Sequence, residues 1–234
     1  MKEIFEKNKL IITLFFVFLF LSIVFLVLYI TGVMGEDILI SRNIYDASLP
    51  KAIKAILIFF HDEFIYIVCI PLSLIWLVFE LYCQYCLKKH IARLALLFIL
   101  SVSVAAIFAL LTKKIFGRQR PQWSSIPDDY NSFPSGSTIM TGTIFLFFAV
   151  IAFKNRWRIV GIVLLFVPII WGIGRIWIGE HYLFDVIAAW LFVPVVLSAV
   201  YLTFLFCEKF IVKVDKLRKF IYGEERLDTQ YIHE

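Results

Sequence analysis

The sequence has few charged residues for its length. Asp, Glu, Lys and Arg make up 18% of its 234 residues, whereas 62% are hydrophobic and 18% are aromatic. Average soluble domains are about 45–50% apolar and about 25% charged. A water-soluble fold of this size could not bury so many Phe, Leu and Ile side chains. The composition therefore excludes an ordinary soluble domain and predicts a membrane protein.

Cysteine is also scarce, and its four copies lie in or beside apolar stretches: Cys69, Cys83, Cys86 and Cys207. The Cys83–Cys86 spacing suits a metal or redox pair, but one pair supplies only two ligands and no second cluster completes four. We therefore expect inert buried thiols, no metal and no cofactor. The net charge of +5 resides in segments between apolar runs rather than in a basic stripe, which argues against a nucleic-acid partner.

Long apolar runs fill most of the chain. A spanning helix needs about 20 mostly apolar residues. We predict an all-α polytopic membrane protein, a single domain over residues 1–234, with six transmembrane helices at Leu10–Tyr29, Phe64–Tyr82, Leu94–Leu111, Gly136–Phe153, Ile159–Gly174 and Phe184–Cys207. The first run is too long for a signal peptide, and no small-residue cleavage site follows it. An interfacial helix is predicted over Ala47–Phe60, and a charged cytoplasmic tail over Glu208–Glu234.

Six spans place both chain ends on one side of the membrane. With the ends inside, fifteen of the 23 Lys and Arg residues fall in cytoplasmic segments and eight in outer ones, as the positive-inside rule requires. The outer segments nevertheless contain Lys113, Lys114, Arg118 and Arg120 close together. Lysines at a helix end often only anchor it at the interface, but a basic cluster that opposes the topological trend indicates a bound anion.

Three outer segments carry polar residues next to span ends: Lys113–Pro121, Phe133–Thr138 and Gly174–Asp185. In the first segment, Lys113 and Arg120 can neutralise a dianion, and an Arg offers a bidentate fork to two oxygens. The second segment begins a span, where free backbone N–H groups and the helix dipole suit a phosphate.

The third segment adds a nucleophile. His181 and Asp185 are four residues apart and share a face of the helix if it has begun by then. A carboxylate in that position can keep one imidazole nitrogen protonated and leave the other nucleophilic. Gly136, in the second segment, would let a phosphate oxygen approach the backbone closely. Each motif alone has an ordinary structural explanation, but the three together on one membrane face indicate a phosphate-handling site.

The three motifs resemble the signatures of the phosphatidic acid phosphatase type 2 family, which is related to the vanadium haloperoxidases. That family carries K-x6-R-P, P-S-G-H and S-R-x5-H-x3-D. The corresponding residues here are Lys113, Arg120 and Pro121; Pro134, Ser135, Gly136 and Ser137; and Gly174, Arg175, His181 and Asp185. Two positions depart from the pattern, because Ser137 replaces a His and Gly174 replaces a Ser.

The resemblance implies a role for each matching residue. Lys113, Arg120 and Arg175 would clamp the phosphate, and Ser135 and the amide of Gly136 would hydrogen-bond its oxygens.

The resemblance also implies the chemistry. His181 would attack phosphorus and form a phosphohistidine that water then hydrolyses, Asp185 would orient His181, and no metal would take part. The substrate would be a membrane lipid phosphate or diphosphate, such as phosphatidate, phosphatidylglycerol phosphate, a polyprenyl diphosphate or lipid A. The outer site and the uncleaved first span suggest a bacterial inner membrane, with the site facing the periplasm or cell exterior.

Ser137 leaves alternatives open. The family's His at that position donates a proton to the leaving oxygen, and loss of general acid catalysis typically costs about 10²–10⁴-fold. Ser137 could be an introduced inactivating substitution, could suit substrates with good leaving groups, or could mark a catalytically silent lipid-phosphate binding protein. A phosphotransferase is a further alternative. The segment His61-Asp62-Glu63 could supply a substitute acid, but a polar helix start, with Asp62 and Glu63 placed favourably for the dipole, is the better explanation.

Overall fold

The structure, a computed structural model, describes residues 8–32, 36–47, 92–124 and 131–211, with a few isolated positions besides, and the regular secondary structure in these ranges is helical. The six helices in these ranges are α1 Lys9–Ile30, α2 Asp37–Asp46, α3 Ala92–Phe116, α4 Gly136–Lys154, α5 Arg158–Trp177 and α6 Leu183–Ile211. The predicted all-α class is confirmed.

Five of these helices, α1 and α3 to α6, are long and apolar enough to cross a membrane. They agree with five of the predicted spans to within about five residues at each end. The predicted second span, Phe64–Tyr82, lies almost wholly outside the described residues, as does most of the predicted interfacial helix, Ala47–Phe60. On α1, Leu10, Phe20 and Ile30 are 71%, 66% and 69% exposed, which is the surface expected of a helix that faces lipid.

Helix α6 lies at the centre and contacts α1, α3, α4 and α5. The main core cluster combines residues of α1, α3, α4 and α6 with Phe133, and small side chains such as Ala105, Ala188 and Ala189 are fully buried in it. Small residues let the helix backbones approach closely where no hydrophobic effect drives membrane helices together. At Gly172 of α5, an added Cβ would lie only 2.5 Å from Cγ1 of Val186 on α6.

Helix α2 has one polar face and one apolar face. Asp37 and Ser41 are buried, whereas Ile38, Leu39 and Ile40 are exposed. Asp37 in the first turn is favourable for the helix dipole, and the buried face packs against α5 and α6. An exposed apolar face of this kind is typical of a helix in the membrane interface. This helix was not predicted from the sequence.

The two ends of the bundle are distinct. At one end, the Tyr201 hydroxyl lies 3.2 Å from Oδ1 of Asn8, so the start of α1 lies beside the end of α6. At the other end, the Tyr29 ring stacks on Phe133 at 4.5 Å, in the segment that leads into α4. Helices α3 and α5 end, and α4 and α6 begin, at this second end, so all three sequence motifs lie there.

Candidate active site

The second motif touches both of the others. The backbone N–H of Ser135 donates to the carbonyl of Asp185 (3.0 Å), which ties the start of α4 to the first turn of α6. A Cβ added at Gly136 would lie 3.3 Å from Cε of Lys113 on α3. Glycine therefore provides the space in which the Lys113 side chain crosses the start of α4. The first intrahelical hydrogen bond of α4 runs from the N–H of Ile139 to the carbonyl of Ser135. The N–H groups of residues 136–138 therefore have no acceptor within the helix and can bind an anion.

The first and third motifs are joined through Arg120. Its Nη1 donates to the carbonyl of Glu180 at 2.9 Å, next to His181, and the Arg120 side chain is buried. The three motifs span 73 residues of sequence and form one spatial cluster at the second end of the bundle, which we call the site end.

His181 lies at the centre of this cluster and is 1% exposed. Its Nδ1 is 3.4 Å from Oδ2 of Asp185, which also accepts the backbone N–H of Tyr182 at 2.9 Å. The His181–Asp185 distance exceeds that of a strong hydrogen bond, as is common for catalytic contacts before substrate binds. With Nδ1 directed at the carboxylate, Nε2 is the nitrogen that can act as a nucleophile.

The surroundings of His181 keep its imidazole neutral. Burial lowers the pKa of His181 well below its ordinary value, and the positive charges of Arg175, Lys113 and Arg120 lower it further, whereas Glu180 opposes them. A neutral imidazole at neutral pH carries the lone pair that nucleophilic attack requires. The same three cations that the sequence analysis assigned to phosphate binding are thus the ones whose charge acts on His181.

Two of the predicted clamp residues lie in the last turns of helices that extend beyond the predicted spans. Lys113 Nζ donates to the carbonyl of Asn131, and Asn131 Nδ2 donates back to the Lys113 carbonyl at 3.0 Å. Arg175, in the last turn of α5, places Nη2 2.7 Å from Oε2 of Glu180, and both side chains are buried. Nε of Arg175 finds no hydrogen-bond partner within the described part of the chain, so the guanidinium keeps a donor for an oxyanion.

The hydroxyl groups of the second motif differ in their partners. Oγ of Ser135 lies 2.8 Å from Oγ1 of Thr138, and Ser135 is fully buried. Oγ of Ser137 is also buried, but no partner for it occurs among the residues that the structure describes. Ser137 occupies the first turn of α4. Neither hydroxyl titrates near neutral pH, so neither can act as a general acid there.

Three charged residues of the cluster were not among the predicted site residues: Asp37, Arg118 and Glu180. Arg118 places Nη1 2.8 Å from Oδ1 of Asp185 and Nη2 2.7 Å from Oδ2 of Asp37. Although burial alone would lower the pKa of Arg118, the carboxylates of Asp185 and Asp37 outweigh it and raise the pKa. Arg118 belongs to the basic cluster noted in the sequence, and Glu180 directly precedes His181, whereas nothing in the sequence points to Asp37.

The fold and this cluster define a class of protein, a multi-pass helical membrane protein with a histidine-centred, cation-lined site at one membrane face. Residues 94–209 match the model of the PAP2 superfamily, and the chain belongs to that superfamily. No curated protein sequence matches the chain.

Two solved structures share its fold. One is the first transmembrane PAP2-type phosphatidylglycerolphosphate phosphatase from Bacillus subtilis, which is 20% identical with a TM-score of 0.64 over 85% of this chain and 96% of that one. The other is LpxE from Aquifex aeolicus, which is 18% identical with a TM-score of 0.50 over 70% of this chain and 93% of that one. The chain therefore has a PAP2 fold similar to those of membrane phosphatases.

Proposed function

We propose that this protein is an integral membrane lipid phosphatase that acts through a phosphohistidine on His181. The observation that carries the proposal is the buried imidazole of His181, held beside Asp185 and influenced by the charges of Lys113, Arg120 and Arg175. Arg120 and Arg175 are buried and Lys113 is partly buried, so an anion that binds among them would offset their positive charge, and the nucleophile beside them makes a phosphoryl group the fitting anion.

The proposed reaction has two steps. In the first, Nε2 of His181 attacks phosphorus, an N–P bond forms, and the bond from phosphorus to the leaving oxygen breaks. In the second, water attacks the phosphohistidine, the N–P bond breaks, and inorganic phosphate leaves. Asp185 stabilises the imidazolium that the first step creates, and the clamp residues neutralise the charge on the phosphoryl oxygens.

Ser137 favours one substrate class within this proposal. An alkoxide leaving group, as in phosphatidate, needs a proton that a serine cannot supply. A diphosphate expels a phosphate monoester, whose second pKa of about 6 lets it leave without protonation. We therefore propose lipid diphosphates as the preferred substrates.

We further propose a bacterial inner membrane as the location, with the site facing the periplasm or cell exterior. The excess of Lys and Arg in the segments at the opposite end of the bundle supports this orientation. The lipid would enter laterally between helices, with its phosphate at the interface.

The decisive test is phosphate release from a panel of lipid phosphates and lipid diphosphates by the purified full-length protein. We expect turnover of a polyprenyl diphosphate to exceed that of phosphatidate by at least about 10²-fold, the usual contribution of a general acid. Ser137→His should raise the phosphatidate rate selectively, and Ser137→Ala should leave the panel unchanged because the serine hydroxyl transfers no proton.

The other outcomes decide between the alternatives. Equal rates on phosphatidate and diphosphate would contradict the leaving-group argument. Release only by Ser137→His would identify an inactivated phosphatase, and release by neither form would favour a silent lipid-phosphate binding protein. Transfer of radiolabel to a lipid acceptor instead of water would identify a phosphotransferase.

A further inference from the structure

Arg118 joins two buried carboxylates that lie far apart in sequence. It bridges Asp185 of α6 and Asp37 of α2, both almost fully buried, and its guanidinium lies 3.9 Å from the ring centroid of Tyr182. Asp185 in turn contacts His181. We call Asp37, Arg118 and Asp185 the carboxylate bridge. A planar guanidinium with two fixed partners and a stacked face has few ways to move, so this bridge fixes the rotamer of Asp185.

Helix α2 also anchors the backbone that carries His181 and Asp185. Oδ1 of Asp37 accepts the N–H of Phe184 at 3.1 Å, and Oγ of Ser41 accepts the N–H of Leu183 at 2.8 Å. These are the first two residues of α6, whose N–H groups have no intrahelical acceptor. A helix usually caps itself with a side chain just before its first turn, whereas α6 receives these two caps from another helix.

We propose that Asp37 and Arg118 are positioning residues of the active site, which hold Asp185 and thereby set both the orientation and the basicity of His181. This inference rests on the proposed function of His181 as a nucleophile. Asp37 acts twice, because its carboxylate shares the charge of Arg118 with Asp185 and its second oxygen fixes the start of α6.

The charges around His181 give the bridge a measurable signature. The charges of Lys113 on α3, Arg120, Arg175 on α5 and Glu180 act on the imidazole, and Asp185 lies 3.4 Å from its Nδ1. Besides Asp185, the carboxylate bridge adds the positive charge of Arg118 and the negative charge of Asp37. Removing the carboxylate of Asp37 leaves Arg118 to neutralise Asp185 alone, which disfavours protonation of His181. Removing the cation of Arg118 leaves Asp185 unopposed, which favours protonation of His181.

The test compares the pH dependence of kcat/KM for Asp37→Asn and Arg118→Gln in the full-length protein. The acid limb should move to lower pH in Asp37→Asn and to higher pH in Arg118→Gln, by about 0.5–1 unit each. In Arg118→Gln, kcat should also fall by about 10–100-fold because His181 loses its fixed geometry. Arg118→Lys keeps the charge, so its acid limb should stay in place while its kcat falls.

Two controls separate positioning from folding. Ser41→Ala removes a cap from α6 but no charge, and its acid limb should not move. Arg93→Gln breaks the ion pair with Glu208 at the opposite end of α3 and α6 (3.1 Å), and should change neither kcat nor the profile. Shifts in the same direction for Asp37→Asn and Arg118→Gln, or no shift in either, would overturn the inference.

A second measurement, an NMR titration of His181, does not depend on catalytic activity. With His61, His90 and His233 replaced, the imidazole of His181 can be titrated by NMR in the same variants. Opposite displacements of its midpoint support the bridge even if no lipid phosphate is hydrolysed, in which case only the proposed function fails. If the enzyme is active but the titration midpoint of His181 does not move in the variants, the positioning role of Asp37 and Arg118 is wrong and the phosphatase proposal stands.

Discussion

Glu180 places a carboxylate among the cations that are proposed to hold phosphate. Its Oε2 lies 2.7 Å from Nη2 of Arg175, and its charge also acts on Arg120 and His181. A buried cation is stable only when paired, so in the absence of phosphate Glu180 acts as the counter-ion of Arg175. A phosphate that binds Arg175 competes with this carboxylate and meets its repulsion.

We expect Glu180→Gln to bind inorganic phosphate or vanadate more tightly, because the amide keeps the shape but removes the competing charge. The inhibition constant of vanadate should fall by about tenfold, equivalent to about 1.4 kcal/mol. Glu208→Gln is the matched control, since Glu208 pairs with Arg93 at the opposite end of the bundle, and its vanadate inhibition should equal that of the wild type. Weaker vanadate binding in Glu180→Gln would instead mean that Glu180 chiefly holds Arg175 in place.

At the scale of the helices, some elements could be predicted from the sequence and others could not. The five described spans could be predicted because an apolar run of membrane length dictates a helix. Helices α3 and α5 continue past those runs and carry Lys113 and Arg175 in their last turns, since a long cationic side chain can reach the interface from within a helix. Helix α2 was missed because ten residues with a mixed polar pattern give no comparable signal. Its partner Arg118 lies 81 residues away, so the pairing of Asp37 could not be inferred from spacing.

The junction of α5 and α6 allows a test at this scale. A Cβ at Gly172 would lie 2.5 Å from Val186 and 2.8 Å from the Trp190 ring, and Val186 is fully buried on a stiff side chain. Gly172→Ala should destabilise the protein by about 1–3 kcal/mol through overpacking, seen as a lower Tm in detergent.

Gly161→Ala is the matched control for that substitution. The three atoms nearest to its Cβ would all belong to the ring of Phe153, at 2.8–2.9 Å. Phe153 is exposed, so its ring can swing away and the Tm should fall less. Val186→Ala should rescue Gly172→Ala by vacating the space. Equal losses at Gly161 and Gly172 would show that helix packing here tolerates the extra methyl group.

At the scale of the molecule, the polar chemistry is concentrated at one end. The described spans bring the ends of α3 and α5 and the starts of α4 and α6 to the site, whereas the short connection between α4 and α5, around Asn155, lies at the opposite end. Helix α2 lies at the site end and α3 begins at the opposite end. The chain therefore has to pass from the site end to the opposite end between α2 and α3, which is consistent with the predicted span over residues 64–82.

The proposed orientation predicts which end of the bundle faces the outside of the cell. Lys114 is exposed beside the site, and Asn155 is exposed at the opposite end. In a background without the four native cysteines, a membrane-impermeant maleimide should label Lys114→Cys in intact spheroplasts and should label Asn155→Cys only after permeabilisation. The reverse pattern would place the site in the cytoplasm, where the excess of basic residues at the other end would contradict the positive-inside rule. Neither position belongs to the proposed site, so both variants should keep their phosphatase activity, which verifies that the labelled protein is folded.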